Sequence, residues 1–215
     1  MISKFRFLMK IQIFQFIFLN YFSKKIVRHG QGKVILFKNA VLDLEKNCKI
    51  VLYDNNLEIG TNKLKHSKAE TYIRLRRDAL WEVKGGANIS YGSTIEVLHH
   101  AKLTTGFFTM NSFSVIICAK YIKLGEDVMI GRNVTIYDSN FHNIQKGSIK
   151  DACKGIIIGN HVWVASNVTV LKGVVVSDGS ILGNCALINK NVGVNQLVTN
   201  NYIQVVKGEN VSWKR

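Results

Sequence analysis

From Ile158 onward the chain places an aliphatic residue at every sixth position: Ile158, Val164, Val170, Val176, Leu182, Ile188 and Val194. A second column lies four residues after each, at Val162, Val168, Val174, Ser180, Ala186, Val192 and Val198. The same frame runs upstream through Cys118, Leu124, Ile130 and Ile136, with Ile122, Val128 and Val134 four residues on. A period of six matches neither a helix nor a free-standing alternating strand. It fits a short strand followed by a sharp corner, three such units closing one triangular coil of about 18 residues. The columns then point inward and stack on their equivalents about 4.8 Å above and below. Gly125, Gly131, Gly159 and Gly183 each follow an inward residue and let the chain turn there.

Before residue 118 the register loosens. Ile89, Ile95, Val97 and Leu103 continue the coils, and NCKIVLYDNNLEIG and ETYIRLRRDALWEVKGG read as strands, which extends the solenoid back to about residue 33. The chain has 215 residues, no proline and no linker-like stretch. The expected organisation is a basic apolar helical segment at 1–32, then a single solenoid domain at 33–215, with QVVKGENVSWKR as a last strand and tail.

Charge adds a second theme. The chain carries 29 Lys and Arg against 14 Asp and Glu, a net +15, which favours polyanionic partners. Before the first acidic residue, Asp43, stand Lys4, Arg6, Lys10, Lys24, Lys25, Arg28, Lys33 and Lys38. Between Lys10 and Lys24, IQIFQFIFLNYFS is interrupted by Gln12, Gln15 and Asn20 and is shorter than the roughly 18 to 20 residues that cross a bilayer. LNYFSKK offers no small-residue cleavage site, so export is set aside and a cytoplasmic location expected. Phe7, Ile11, Phe14 and Phe18 share helical spacing. That face either packs on its own domain or a neighbouring subunit, or lies, through residues 1–28, on an anionic membrane. No helix-turn-helix, RNP-like or zinc-finger pattern accompanies the charge, so nucleic acid is not expected. Cys48, Cys118, Cys153 and Cys185 form no CxxC pair and the histidines no HxxxH, so neither a metal nor a disulfide framework is expected.

The period breaks once in its well-ordered part. Ile136 and Ile158 are not a multiple of six apart, so the segment at about 137–157 must leave the coil. Long excursions from a compact repeat are usually functional. At its start stand Asp138, Asn140 and His142, and an imidazole is the commonest general base. The plainer reading is a turn in which Asp138 and Asn140 bond their own backbone.

IKLGEDVMIGRNVTIYDSNFHNI at 122–144 and IGNHVWVASNVTVLKGVVVSDGSILGNCALINKNV at 158–192 resemble the left-handed parallel β-helix, or hexapeptide-repeat, acyltransferases, within them the O-acetyltransferases of surface polysaccharide synthesis. The resemblance implies an all-β, left-handed parallel β-helix behind a short basic N-terminal helix. It implies a homotrimer that holds acetyl-CoA in the groove between subunits, a saccharide acceptor, and His142 as the base, with Trp163 beside it. Asp138 and Asn140 would bind the acceptor or orient the histidine. Ser166, Asn184, Asn189, Lys190, Gln204 and Lys207 match positions that contact the cofactor in relatives. The chain departs from the family at TNNYIQVVK, where relatives have a Gly-Asn-Pro-Ala turn, and at Ala165, where glycine is usual.

A sugar hydroxyl attacks a thioester poorly until a base takes its proton, which is the chemistry a lone loop histidine can supply. The alternatives are N-acetylation of an amino sugar, acetylation of a free sugar, or a non-enzymatic trimeric scaffold. A three-histidine zinc site lacks its third ligand, since His142 and His161 have no partner at fixed spacing.

Overall fold

The computed structural model describes residues 9–142 and 152–200. The strands form three parallel sheets of seven, eight and seven strands, visited in rotation. The first sheet runs from Ile26–Arg28 to Val175–Val176, the second from Val34–Leu36 to Leu197–Val198, and the third from Ala40–Leu44 to Leu187–Ile188. This is the all-β parallel β-helix that the six-residue period predicts, each strand paired with its equivalent one coil away.

In the last coils the repeat is regular. Trp163 pairs with Ile181 and Thr169 with Leu187, each 18 positions on. The two aliphatic columns are buried, from Ile158 and Val162 through Ile188 and Val192. Val194 departs from the pattern and is 64% exposed. Ile181 pairs with Leu197 only 16 positions on, so this coil is two residues short and Val194 falls out of phase.

Earlier coils are longer, which is why their register looked loose: Ile26 pairs with Ile50, 24 positions on. A longer coil encloses a wider interior, and bulkier groups fill it, including Trp81, Phe108 and Met110. The Trp81 indole N–H, buried with them, donates to the Thr105 hydroxyl at 3.2 Å. Corners use left-handed backbone, with Asp127, Asn133, His161 and Asn167 at φ of 54°, 53°, 52° and 59°. At Gly125 the reason is proximity as much as turning: a Cβ there would lie 2.5 Å from the Gly159 carbonyl.

The solenoid starts earlier than the boundary expected at residue 33. Ile26–Arg28 already pairs with Lys49–Leu52. Before it, a five-residue helix, Ile13–Ile17, continues as a π-helical turn, Phe18–Phe22, and caps the open edge of the first coil. Asn20 is the clamp: its amide donates to the Val34 carbonyl and accepts from the Val34 N–H, at 2.8 and 2.9 Å. Ile11 pairs with Phe37, and Ile11 and Leu19 are buried beneath the segment. Covering an edge strand in this way satisfies its backbone groups. Of the helical face expected from the sequence, Ile11 therefore lies outside the helix, Phe14 points into solvent, and Phe18, partly exposed, lines a cleft with Leu42 and Leu44.

On the outer face of the third sheet, Arg74 pairs with Asp43 and Glu45, and Arg76 with Glu45 and Glu96. The basic run YIRLRR is thus largely neutralised by its neighbours.

Candidate active site

The excursion expected at about 137–157 leaves the coil after Thr135–Tyr137 and returns at Ile156–Ile158. The corner between them is built on Asp138, whose side chain is fully buried. Its carboxylate accepts the N–H groups of Ala119, Lys120 and Tyr121 at 2.6, 2.8 and 2.8 Å. Three amides of the preceding coil thereby fix the point at which the excursion departs. Of the two roles expected for Asp138, binding the acceptor or orienting the histidine, its geometry agrees with the second: its oxygens face the backbone of the preceding coil, at the base of the segment that carries His142. The neighbouring Cys118 thiol is pushed far up by burial and then by the Asp138 charge, so it stays protonated.

From Asp138 the two arms run antiparallel. Ser139 bridges to Cys153, the Asn140 N–H donates to the Ala152 carbonyl at 3.0 Å, and the Lys154 N–H donates to the Asp138 carbonyl at 2.9 Å. Phe141 takes a left-handed conformation, its N–H on the Ser139 hydroxyl and its ring edge-on to Tyr137 at 5.9 Å. The His142 N–H then closes on the Asn140 carbonyl at 2.7 Å. The result is a short stem that lifts His142 and Asn140, both exposed, off the coil.

Trp163 opens its strand in the second sheet and is 48% exposed. Its register neighbours, Met129 before it and Ile181 after it, make an outward apolar column. Ser166 and Asn184 follow the second-sheet strands Trp163–Val164 and Ile181–Leu182 at one edge of the prism. Asn189 and Lys190 follow the third-sheet strand Leu187–Ile188, on the edge that also carries the His142 stem. The Ser166 hydroxyl accepts the Arg132 N–H at 3.3 Å, and Asn184, Asn189 and Lys190 are exposed. One chain therefore distributes the expected site residues over separate edges. Gln204 and Lys207 lie outside the described residues, as does the expected C-terminal strand.

Two features escaped the sequence reading. His161 Nδ1 sits 2.6 Å from Asp127 Oδ2 on exposed corners of consecutive coils, two residues before Trp163. Their shared corner position would have linked them, had the coil register been drawn in advance. The second is a further excursion at 62–70, between Leu57–Thr61 and Thr71–Leu75. Its signal was NKLKHSKAE, polar and basic between two aliphatic runs.

No family model matches the chain. A polysialic acid O-acetyltransferase of Neisseria meningitidis is 31% identical over 158 residues, covering 72% of this chain and 66% of that protein. A galactoside O-acetyltransferase of Escherichia coli strain K12 is 29% identical over 110 residues, covering 49% and 50%. The chain thus spans just under two thirds of the first relative and half of the second. The crystal structure of the polySia-specific acetyltransferase NeuO aligns with a TM-score of 0.46 and 20% identity, covering 90% of each chain. A parallel β-helix with an excursion loop at one corner defines the class as hexapeptide-repeat proteins. Within it, the chain is similar in sequence to polysialic acid and galactoside O-acetyltransferases.

Proposed function

We propose that this protein transfers an acetyl group from acetyl-CoA to a hydroxyl of a saccharide, in surface polysaccharide or lipopolysaccharide synthesis, with His142 as general base. The observation that carries the reading is the braced stem at Asp138, which presents an exposed imidazole beyond the coil. The acyl donor supplies an activated thioester carbonyl. His142 takes the acceptor proton as the hydroxyl oxygen bonds to that carbonyl, and returns it to the sulfur as the C–S bond breaks. Asn140, on the same stem, binds the acceptor in this reading, which its exposure supports.

The functional unit is a homotrimer. His142 and Lys190 stand on one edge of the prism, while Trp163 stands across the first sheet from it, and Ser166 and Asn184 stand across the third. A second subunit laid along the His142 edge brings its Trp163 column to that histidine and forms a groove between chains. The exposed apolar column suits a pantetheine arm, and Asn184, Asn189 and Lys190 suit the polar and phosphate groups beyond it. The enzyme works at the cytoplasmic face of a membrane, held there by the outer side of the N-terminal cap.

The test is thiol release from acetyl-CoA with a panel of saccharide acceptors, with calorimetric titration of CoA, for wild type and His142→Ala. The variant is expected to keep CoA affinity within about twofold and to lose about 100-fold or more in turnover. Turnover by His142→Ala at the wild-type rate sinks the base assignment. Failure of the wild type to bind CoA sinks the whole reading.

A further inference from the structure

Beside the N-terminal cap, remote from His142, lies a cavity of about 570 Å³ lined by Lys10, Lys38, Glu58, Thr61, Lys63 and His66, among others. Its walls are held from two sides. The Lys38 N–H donates to the Lys10 carbonyl at 2.9 Å, which sets these two residues side by side. The 62–70 excursion supplies Lys63 and His66, and its first residue, Asn62, donates to the Ser90 hydroxyl at 3.3 Å.

Three observations point to a ligand. Thr61 is buried, and its hydroxyl has no hydrogen-bond partner among the described residues. A buried hydroxyl left unpaired is costly, so it awaits an acceptor or donor from outside. Lys10, Lys38 and Lys63 form no ion pair among the described residues, unlike Arg74 and Arg76. Glu58, half-buried on the same wall, is pushed above the usual carboxyl range by burial. The volume is that of a site for one or two sugar rings.

The cavity also lies in line with the proposed active site. Glu58 pairs in register with Asn88, Asn88 with Thr109, Thr109 with Met129, and Met129 with Trp163. All five face outward on the second sheet, so four strand spacings, about 19 Å, separate Glu58 from Trp163.

We infer that this cavity binds an acidic sugar residue of a saccharide chain, through its carboxylate or phosphate on Lys10, Lys38 and Lys63 and a ring hydroxyl on Thr61. The rest of the chain then runs along the second sheet toward Trp163. Its role as an acceptor subsite rests on the acetyl-transfer reading; the binding itself does not.

The experiment is calorimetric titration of the full chain with oligogalacturonate, with a neutral malto-oligosaccharide of equal length, and with inorganic phosphate. The proteins are wild type, Lys38→Ala/Lys63→Ala, Thr61→Val, His142→Ala, and a control that loses the same charge elsewhere, Lys46→Ala/Lys49→Ala. Wild type and His142→Ala are expected to bind the acidic oligomer alike. The cavity pair should weaken binding tenfold or more, and the control less than twofold. Thr61→Val should weaken binding several-fold while its thermal midpoint holds or rises. Equal losses in the two double variants would assign binding to diffuse charge and overturn the site. So would a neutral oligomer or phosphate that binds as tightly, a wild type that binds nothing, or Thr61→Val that binds unchanged. His142→Ala separates the two readings, since it removes transfer and leaves this binding intact.

Discussion

Asp138 and His142 stand four positions apart in DSNFH, yet they do opposite things. Nothing in that string says which polar group turns inward. The decision is made by the preceding coil, which offers three adjacent N–H groups, at Ala119, Lys120 and Tyr121, to the first carboxylate that reaches them. Asp138→Asn replaces one acceptor oxygen by a donor that faces N–H groups, so about 3 kcal/mol of stability should be lost. Urea unfolding would read this as a lowered midpoint, and an unchanged midpoint would remove Asp138 from its bracing role. Thr61 is a second case: a threonine in LEIGT looks like ordinary strand, and only the fold reveals a buried hydroxyl with no partner among the described residues.

At the scale of elements, inward and outward residues of one strand differ sharply. In Tyr121–Leu124 the Leu124 side chain is fully buried in the interior stack, while Lys123 is exposed on the outer face. Leu124→Ala should cost about 3 kcal/mol, the lost transfer energy plus the hole left in a close-packed column. Lys123→Ala should stay within about 0.5 kcal/mol. Thermal unfolding of both variants checks the assignment of faces, and equal effects would sink it. The alternation was legible in the sequence because a two-residue period decides the face of every short strand. The coil lengths were not: the upstream coils differ in length, and the two-residue deficit that exposes Val194 shows only when Ile181 is seen paired with Leu197.

At the scale of the molecule, the N-terminal cap has two sides. Ile11, Leu19 and Asn20 seal the first coil, while Phe14, 90% exposed, joins Ile17, Phe18, Tyr21 and Phe22 on the outside. Arg28 and Lys33 lie over the Tyr21 ring at 5.6 and 5.3 Å, and Lys10, Lys24 and Lys38 are exposed nearby. No helix among the described residues is long and apolar enough to cross a membrane. Aromatic residues ringed by cations suit the headgroup region of an anionic bilayer. The protein should co-sediment with vesicles of phosphatidylglycerol and phosphatidylcholine, but not with phosphatidylcholine alone. Phe14→Ser/Phe22→Ser should reduce the bound fraction several-fold; binding untouched by that change would rule out the cap as the anchor. The sequence by itself determined the solenoid, its inward columns and the place where the chain leaves it, because a stacked repeat writes its period directly into neighbouring residues. Tertiary structure decided which groups share an edge, which carboxylate is buried, and that the cap, Lys38 and the 62–70 excursion enclose one cavity. Those are contacts between residues whole coils apart, and a local period carries no information about them.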